Sequence, residues 1–421
     1  MNKYEQFVNG QTITHLPSFT LESGKVLSNV PVAYKTWGTL NADGSNVLVL
    51  CHALSGSCDA EDWWGPLFGN GKTFDPSLFF IFCGNVIGSP YGTVSPLSID
   101  PNTDKPYGPH FPLSTVRDDV RLHKQILDLL GVQKIKYCIG GSMGGMQVLE
   151  WSFFGPTYVE HIVPIATSGR HSAWCISWGE AQRQSIYSDP KYANGDYQMS
   201  DPPVSGLSAA RMTALLTYRS RNSFESRFGR KVMPKTALEV DSTTSFDEVH
   251  HNEGNKYRIL RKNPSDNNVQ ESTELSVYSA QSYLRYQGDK FINRFDANCY
   301  IAITRKLDTH DISRDRGDYK TVLASIQQPT LVIGIATDGL FTAEEQLELG
   351  AGIPNAQVVI IESGEGHDGF LLEFAQMRTL LNGFIREHSP ELFRNGIQDE
   401  DDIVVSKPSV FGEAEGDILH W

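Results

Sequence analysis

Apolar and polar positions along the chain fall into two rhythms. Short unbroken apolar runs occur at "SNVLVLCHALSG" (Ser45–Gly56), "SLFFIFCGNVIGS" (Ser77–Ser89), "IKYCIG" (Ile135–Gly140) and "VEHIVPIATSG" (Val159–Gly169). Each is closed by glycine or small polar residues, as buried strands are. Between them apolar residues recur at helical spacing. "STVRDDVRLHKQILDLLGV" (Ser114–Val132) sets Val116, Val120, Ile126, Leu127 and Leu130 on one side, with Ser114 placed to cap its start and Gly131 its end. "MQVLEWSFF" (Met146–Phe154) reads as a second helix. Strand, helix, strand, helix, strand predicts an α/β fold, a mostly parallel sheet with helices on both faces.

The rhythm breaks from about Arg170 to Arg316. "SAARMTALLTYRSRNSFESRF" (Ser208–Phe228) and "SVYSAQSYLRYQGDKFINRF" (Ser276–Phe295) read as helices, and Gly229–Thr273 as a polar, irregular and mobile segment. Strands return with "QQPTLVIGIATDGLFT" (Gln327–Thr342) and "NAQVVIIESGEGHDGF" (Asn355–Phe370), helices with "EEQLELGAGIP" (Glu344–Pro354) and "LLEFAQMRTLLNGFIREH" (Leu371–His388). The expected division is therefore a core over 1–170 and 317–388, a mostly helical insertion over 171–316 and a loose acidic tail over 389–421.

Composition narrows the function. Among 421 residues, 36 Lys and Arg against 50 Asp and Glu give a net charge of −14, which argues against wrapping nucleic acid. The start, "MNKYEQFVNGQTITHLPSF", has no basic stretch followed by an apolar one, so no secretory signal is expected. No apolar run approaches the roughly 18 residues that span a bilayer. The six cysteines form no CxxC pair, so zinc or disulfide frameworks are not expected and buried thiols in a reducing, cytoplasmic setting are. Small-molecule substrates fit this balance, with neither nucleic acid nor membrane as partner.

The chemistry centres on "KIKYCIGGSMGGMQVLEW" (Lys134–Trp151), where Gly140-Gly141-Ser142-Met143-Gly144 fits G-x-S-x-G. The pattern is short, but a strand leads in and a helix leads out, as a nucleophile elbow requires. Such a turn strains the serine backbone and leaves no room for neighbouring side chains, hence the glycines. A phosphate loop would want lysine and a hydroxyl after the last glycine, where Met146-Gln147 stands.

A serine hydroxyl needs a base that is itself oriented by an acid. In the α/β-hydrolase arrangement these follow in the order Ser, acid, His, on loops after later strands. Asp338 directly follows "TLVIGIAT", and His367 sits just past "AQVVIIES". Of the twelve histidines His310 is the rival, but it precedes Asp338 and no strand leads into it. Backbone N–H donors for the oxyanion are expected from Met143, after the nucleophile, and from Leu54 in "CHALSG".

With these segments assembled, the chain resembles the homoserine O-acetyltransferases, most of all the fungal-type members that feed methionine synthesis. The resemblance spans roughly Leu21 to Leu381 and rests on "VAYKTWGTLN", "DWWGPLFG", "GSPYGTVSP", "GPHFPLSTVRDDV", "GGSMGGMQVLEW", "AARMTALLTYRSR", "AQSYLRYQGDKFINRFDANCYIAITRKLDTHD" and "GHDGFLLEF". It implies an α/β-hydrolase fold with a helical lid, Ser142, Asp338 and His367 as nucleophile, acid and base, acetyl-CoA as co-substrate without a permanently bound cofactor or metal, and a homodimer through the lid. It also places Arg211 and Asp368 on the family's substrate-binding positions. A guanidinium suits an amino acid's carboxylate and a carboxylate suits its ammonium. L-Serine as acceptor, succinyl-CoA as donor, or plain ester hydrolysis are the alternatives.

Overall fold

The computed structural model describes residues 2–232, 236–239, 246–255, 272–275 and 277–397. Its centre is an eight-stranded sheet. The strands are β1 (Thr12–Thr20), β2 (Val26–Trp37), β3 (Val47–Cys51), β4 (Phe80–Gly84), β5 (Ile135–Gly141), β6 (Val159–Ile165), β7 (Thr330–Ile335) and β8 (Ala356–Ile361). They lie side by side as β1-β2-β4-β3-β5-β6-β7-β8. β1 and β2 form an antiparallel edge, and from β4 to β8 all neighbours are parallel.

Every residue of β3, β4 and β7 is buried. A strand covered on both faces has no solvent side to carry polar residues, which is why these three stand out as solid apolar runs. β1 lacks that mark because only Leu16 and Phe19 are buried in it. The strand rhythm in the sequence accordingly starts one hairpin late.

Helix α1 (Val116–Leu129) is capped by Thr115, one residue past the expected Ser114. Thr115 Oγ1 accepts from the Asp118 amide at 3.1 Å and Asp118 Oδ2 accepts from the Thr115 amide at 3.1 Å, a reciprocal box that Ser114 has no Asp or Glu three residues on to complete. Helix α2 (Met143–Ser152) begins three residues before the expected Met146, so the turn from β5 is a single residue, Ser142.

Between β6 and β7 no described residue joins the main sheet. This stretch holds α3 (Ala173–Tyr187), α4 (Val204–Tyr218), α5 (Arg221–Arg227), α6 (Ser279–Ile292) and α7 (Ala297–Asp308). Residues 208–228, expected as one helix, are broken: Arg219 is extended (φ −107°, ψ 149°) and Ser220 caps α5 by accepting from the Ser223 amide at 3.0 Å. Within 229–273, expected to be irregular, Thr236–Glu239 pairs antiparallel with Ser272–Leu275 and Phe246–His251 is helical; residues 233–235, 240–245 and 256–271 lie outside the described residues.

Helices α8 (Ala343–Gly352), α9 (Phe374–His388) and α10 (Pro390–Asn395) complete the chain. The start of the tail is packed, contrary to the loose extension expected. Tyr137 donates to Ser389 Oγ at 2.7 Å, Lys136 pairs with Glu391 at 2.9 Å and Ile397 is buried; residues 398–421 lie outside the described residues. One fully buried ion pair ties α7 to the core: Lys306 Nζ lies 2.7–2.8 Å from both Asp119 oxygens on α1 and donates to the Ile87 carbonyl at 2.7 Å. All six cysteines are buried and unpaired. Among the described residues no helix is long and apolar enough to cross a membrane.

Candidate active site

The parallel strands deliver the expected residues to one edge of the sheet. Ser142 occupies the turn between β5 and α2 with φ 58° and ψ −123°, a conformation a side-chain-bearing residue rarely adopts. Two bonds hold it there. The Ser142 amide donates to the Ile165 carbonyl at 2.9 Å, and Thr167 Oγ1 donates to the Ser142 carbonyl at 2.8 Å.

The flanking glycines are needed for space, since none of them has a positive φ. A Cβ on Gly144 would collide with the Cys51 carbonyl oxygen and lie 2.8 Å from its carbon. One on Gly141 would lie 2.6 Å from Phe370 Cδ2. The strain sits on Ser142 alone, and the glycines let α2 start against β3.

Asp338 follows β7 and His367 lies in the short helical turn Gly366–Leu371 after β8. His367 Nδ1 is 2.7 Å from Asp338 Oδ2. Asp338 Oδ1 accepts from the Leu340 and Phe341 amides at 2.8 and 2.9 Å, so the carboxylate is fixed by the backbone before it meets the imidazole. Both residues are buried. The rival His310 is buried elsewhere, 2.9 Å from the Ser168 carbonyl, and burial pushes its pKa down.

Two pockets meet at the serine, sharing Leu54, Ser142 and Tyr218 as walls. His367, Asp368, Ser55 and Trp63 line the first, and Met143, Trp178 and Phe341 line the second. The loop bearing Leu54 is built from below. His52 is buried and burial pushes its pKa down to about 3, so the ring is neutral. Its Nε2 accepts from the Val86 amide at 3.2 Å, and its Nδ1 donates to the Ala53 carbonyl at 2.8 Å. From the other side Arg294 donates to the Ser55 carbonyl at 2.8 Å.

Ser142, His367, Asp368, Leu54 and Met143 are thus gathered around one pair of cavities, with Asp338 directly behind His367. Arg211 is 1% exposed on α4 and lines neither cavity; its guanidinium stacks over Phe291 at 4.7 Å and lies 5.5 Å from the ring of Tyr218, a wall of both. Tyr218, Trp63, Arg219 and Arg294 belong to the site or its support; all four lie inside stretches that carry the resemblance, but nothing within those stretches singles them out. Arg219 pairs through Nε with Asp368 Oδ2 at 3.0 Å and through Nη1 with Glu365 Oε2 at 2.8 Å. Only the break between α4 and α5 makes that contact visible.

A family model of the alpha/beta hydrolase fold matches residues 46–374. A homoserine O-acetyltransferase of Emericella nidulans is 51% identical, the alignment covering 100% of this chain and 96% of that protein. One from Saccharomyces cerevisiae is 50% identical with the same coverage. Among solved structures, esterase E22 superposes with a TM-score of 0.73 at 25% identity over 89% of this chain and 99% of its own. A serine elbow, a paired His and Asp after the last two strands, and this likeness over the whole length agree: the chain belongs to the homoserine O-acetyltransferase family, built on the α/β-hydrolase fold.

Proposed function

We propose that this protein transfers the acetyl group of acetyl-CoA to the hydroxyl of L-homoserine, giving O-acetyl-L-homoserine and CoA for methionine biosynthesis. The observation that carries the reading is the 2.7 Å pair between His367 Nδ1 and Asp338 Oδ2 beside a cavity walled by both Ser142 and Asp368. A base, a strained serine and an acid suited to an ammonium then face one space.

The reaction runs in two steps. His367 Nε2 takes the proton of Ser142 as its oxygen attacks the thioester carbon, with the oxyanion held by the amides of Met143 and Leu54. The C–S bond breaks and CoA leaves as the thiol, carrying the proton from His367. Homoserine then enters with its ammonium toward Asp368 and its carboxylate toward the Tyr218 wall, beside which the Arg211 guanidinium lies. His367 removes the hydroxyl proton, the new ester forms, and the proton returns to Ser142. Ping-pong kinetics follow. Helices α3–α7 act as a lid that keeps water from the acyl-serine. Trp174, 56% exposed on α3, suits a dimer interface formed by that lid, and six unpaired thiols suit the cytoplasm.

The test is CoA thiol release with L-homoserine, L-serine or water as acceptor, with succinyl-CoA in parallel and Ser142→Ala as control. Release that needs homoserine and vanishes in the variant is expected. Equal release with water alone would make the protein a hydrolase, like esterase E22 in kind, and end the proposal.

A further inference from the structure

The loop that carries His367 is latched to the junction of α4 and α5, and one side chain spans the latch. Gly366 packs so tightly there that a Cβ would lie 2.5 Å from the Ser220 amide nitrogen and 2.7 Å from the Arg219 carbonyl carbon, with φ at +75°. Ser220 Oγ donates to the Gly364 carbonyl. Ser223 Oγ donates to Glu365 at 2.8 Å, and Arg227 pairs with Glu365 at 2.7 Å. Burial pushes the Glu365 carboxyl up, but Ser223, Arg227 and Arg219 outweigh it and hold it below the usual carboxylate range. Arg219 is the one member of this group that also reaches the cavity wall. Its side chain is 1% exposed; Nη1 donates to Glu365 Oε2 at 2.8 Å, and Nε is ion-paired with Asp368 Oδ2 at 3.0 Å.

We propose that Arg219 is a positioning residue for amino-acid acceptors: it fixes the Asp368 carboxylate in the orientation that receives the acceptor's ammonium, using Glu365 as its anchor. The proposal rests on the reading of Asp368 given above. A buried carboxylate without a fixed partner is free to turn away from an incoming ammonium. A planar guanidinium held at one end by Glu365 keeps it in place, and it does so before any acceptor enters. The loop that supplies the base and the group that recognises the amine are thereby set by the same element of the lid.

The experiment compares two acceptors in one enzyme. kcat/KM is measured with acetyl-CoA for L-homoserine and for 4-hydroxybutyrate, which lacks only the amino group. The ratio of the two values does not depend on how much of a preparation is folded. Arg219→Gln is expected to lower the ratio about tenfold, the worth of one charge-assisted contact. Arg219→Lys, whose point charge serves one carboxylate at a time, should fall between wild type and Arg219→Gln, and it decides the matter if the glutamine variant does not fold. A merely structural role would depress both acceptors alike and leave the ratio unchanged, which overturns the proposal. Asp368→Asn separates the two readings. If it leaves the ratio unchanged, the ammonium site itself is misassigned. If it lowers the ratio while neither Arg219 variant does, Asp368 stands and Arg219 alone is refuted.

Discussion

Asp338→Asn tests the proposed base more sharply than removal of the histidine, because it changes one proton and almost no volume. In the wild type Asp338 Oδ1 accepts two backbone amides, from Leu340 at 2.8 Å and Phe341 at 2.9 Å, and Oδ2 faces His367 Nδ1 at 2.7 Å. An asparagine can satisfy the two amides only with its carbonyl oxygen. Its NH2 then points at Nδ1. Two donors cannot face each other, so the imidazole must offer a lone pair at Nδ1 and carry its proton on Nε2. A protonated Nε2 cannot accept the proton of Ser142. The opposite flip leaves two backbone N–H groups against an NH2, at about 1–3 kcal/mol each, so the inactive tautomer wins. The expected loss in kcat is roughly 10³–10⁴, or about 4–5.5 kcal/mol. Homoserine-dependent thiol release gives the rate and a thermal melt gives the control. Asp338→Asn should melt like wild type, whereas Asp338→Ala, which abandons both amides, should melt lower as well as lose activity. An asparagine variant with an unchanged melt and more than about a tenth of the wild-type rate would show that His367 does not depend on Asp338 for its tautomer.

Three further outcomes follow from packing and charge. Gly144→Ala should destabilise by about 1–3 kcal/mol or more, because the obstructing atoms are the Cys51 backbone rather than a movable side chain; Gly383→Ala on α9, where nothing lies within 4 Å, should instead stabilise by about 0.5–1 kcal/mol, and denaturant titration of both variants checks the contrast. Lys306→Met strands Asp119, whose carboxyl burial already raises to about 6, and should cost about 3–5 kcal/mol, with Lys306→Met/Asp119→Leu recovering part of it in the same titration. Burial, with Asp338 adding to it, raises Glu345 to about 7, above its unfolded value of about 4.3. The folded chain therefore binds that proton more tightly, and the stability it confers is complete below about pH 4 and lost as pH rises through about 7. Glu345→Gln keeps the oxygen that accepts from the Thr342 amide at 2.8 Å and has no proton to lose, so its melting temperature relative to wild type should climb between about pH 5 and pH 8.

What could be read from the sequence is what local chemistry determines. Parallel strands announce themselves as apolar runs, and β3 to β8 all do, although β8 at the sheet edge fully buries only Ile361. The elbow is legible because its constraints are met within a few consecutive residues: a strand, a serine, small neighbours and a helix. Asp338 and His367 are legible because each immediately follows a strand, so the sheet carries them to the same edge whatever lies between. β1 is not, since its exposed face breaks the pattern, and the helix break at Arg219 is not, since "LTYRSRNSF" holds no glycine or proline to mark it.

That break shows why the remaining part of the site escapes local reading. Nothing in residues 208–228 forbids one continuous helix; the interruption becomes favourable only when Gly366, far along the chain, packs against the Arg219 and Ser220 backbone and Ser220 bonds to Gly364. Each half needs the other, because the serine that caps α5 also donates to the loop behind His367. The proposed chemistry divides along the same line. Residues that make and break bonds sit on strand ends, where β-sheet order fixes them. Arg219, inferred above to position the acceptor-recognising Asp368, sits where two distant segments must meet. Activation of the serine can therefore be inherited with the fold, and esterase E22, which shares it, is named for ester cleavage. Choice of an amino-acid acceptor is then left to contacts made by the insertion, such as that between Arg219 and Asp368, and substitution of Arg219 should change acceptor preference before it changes the rate at which the serine is acylated.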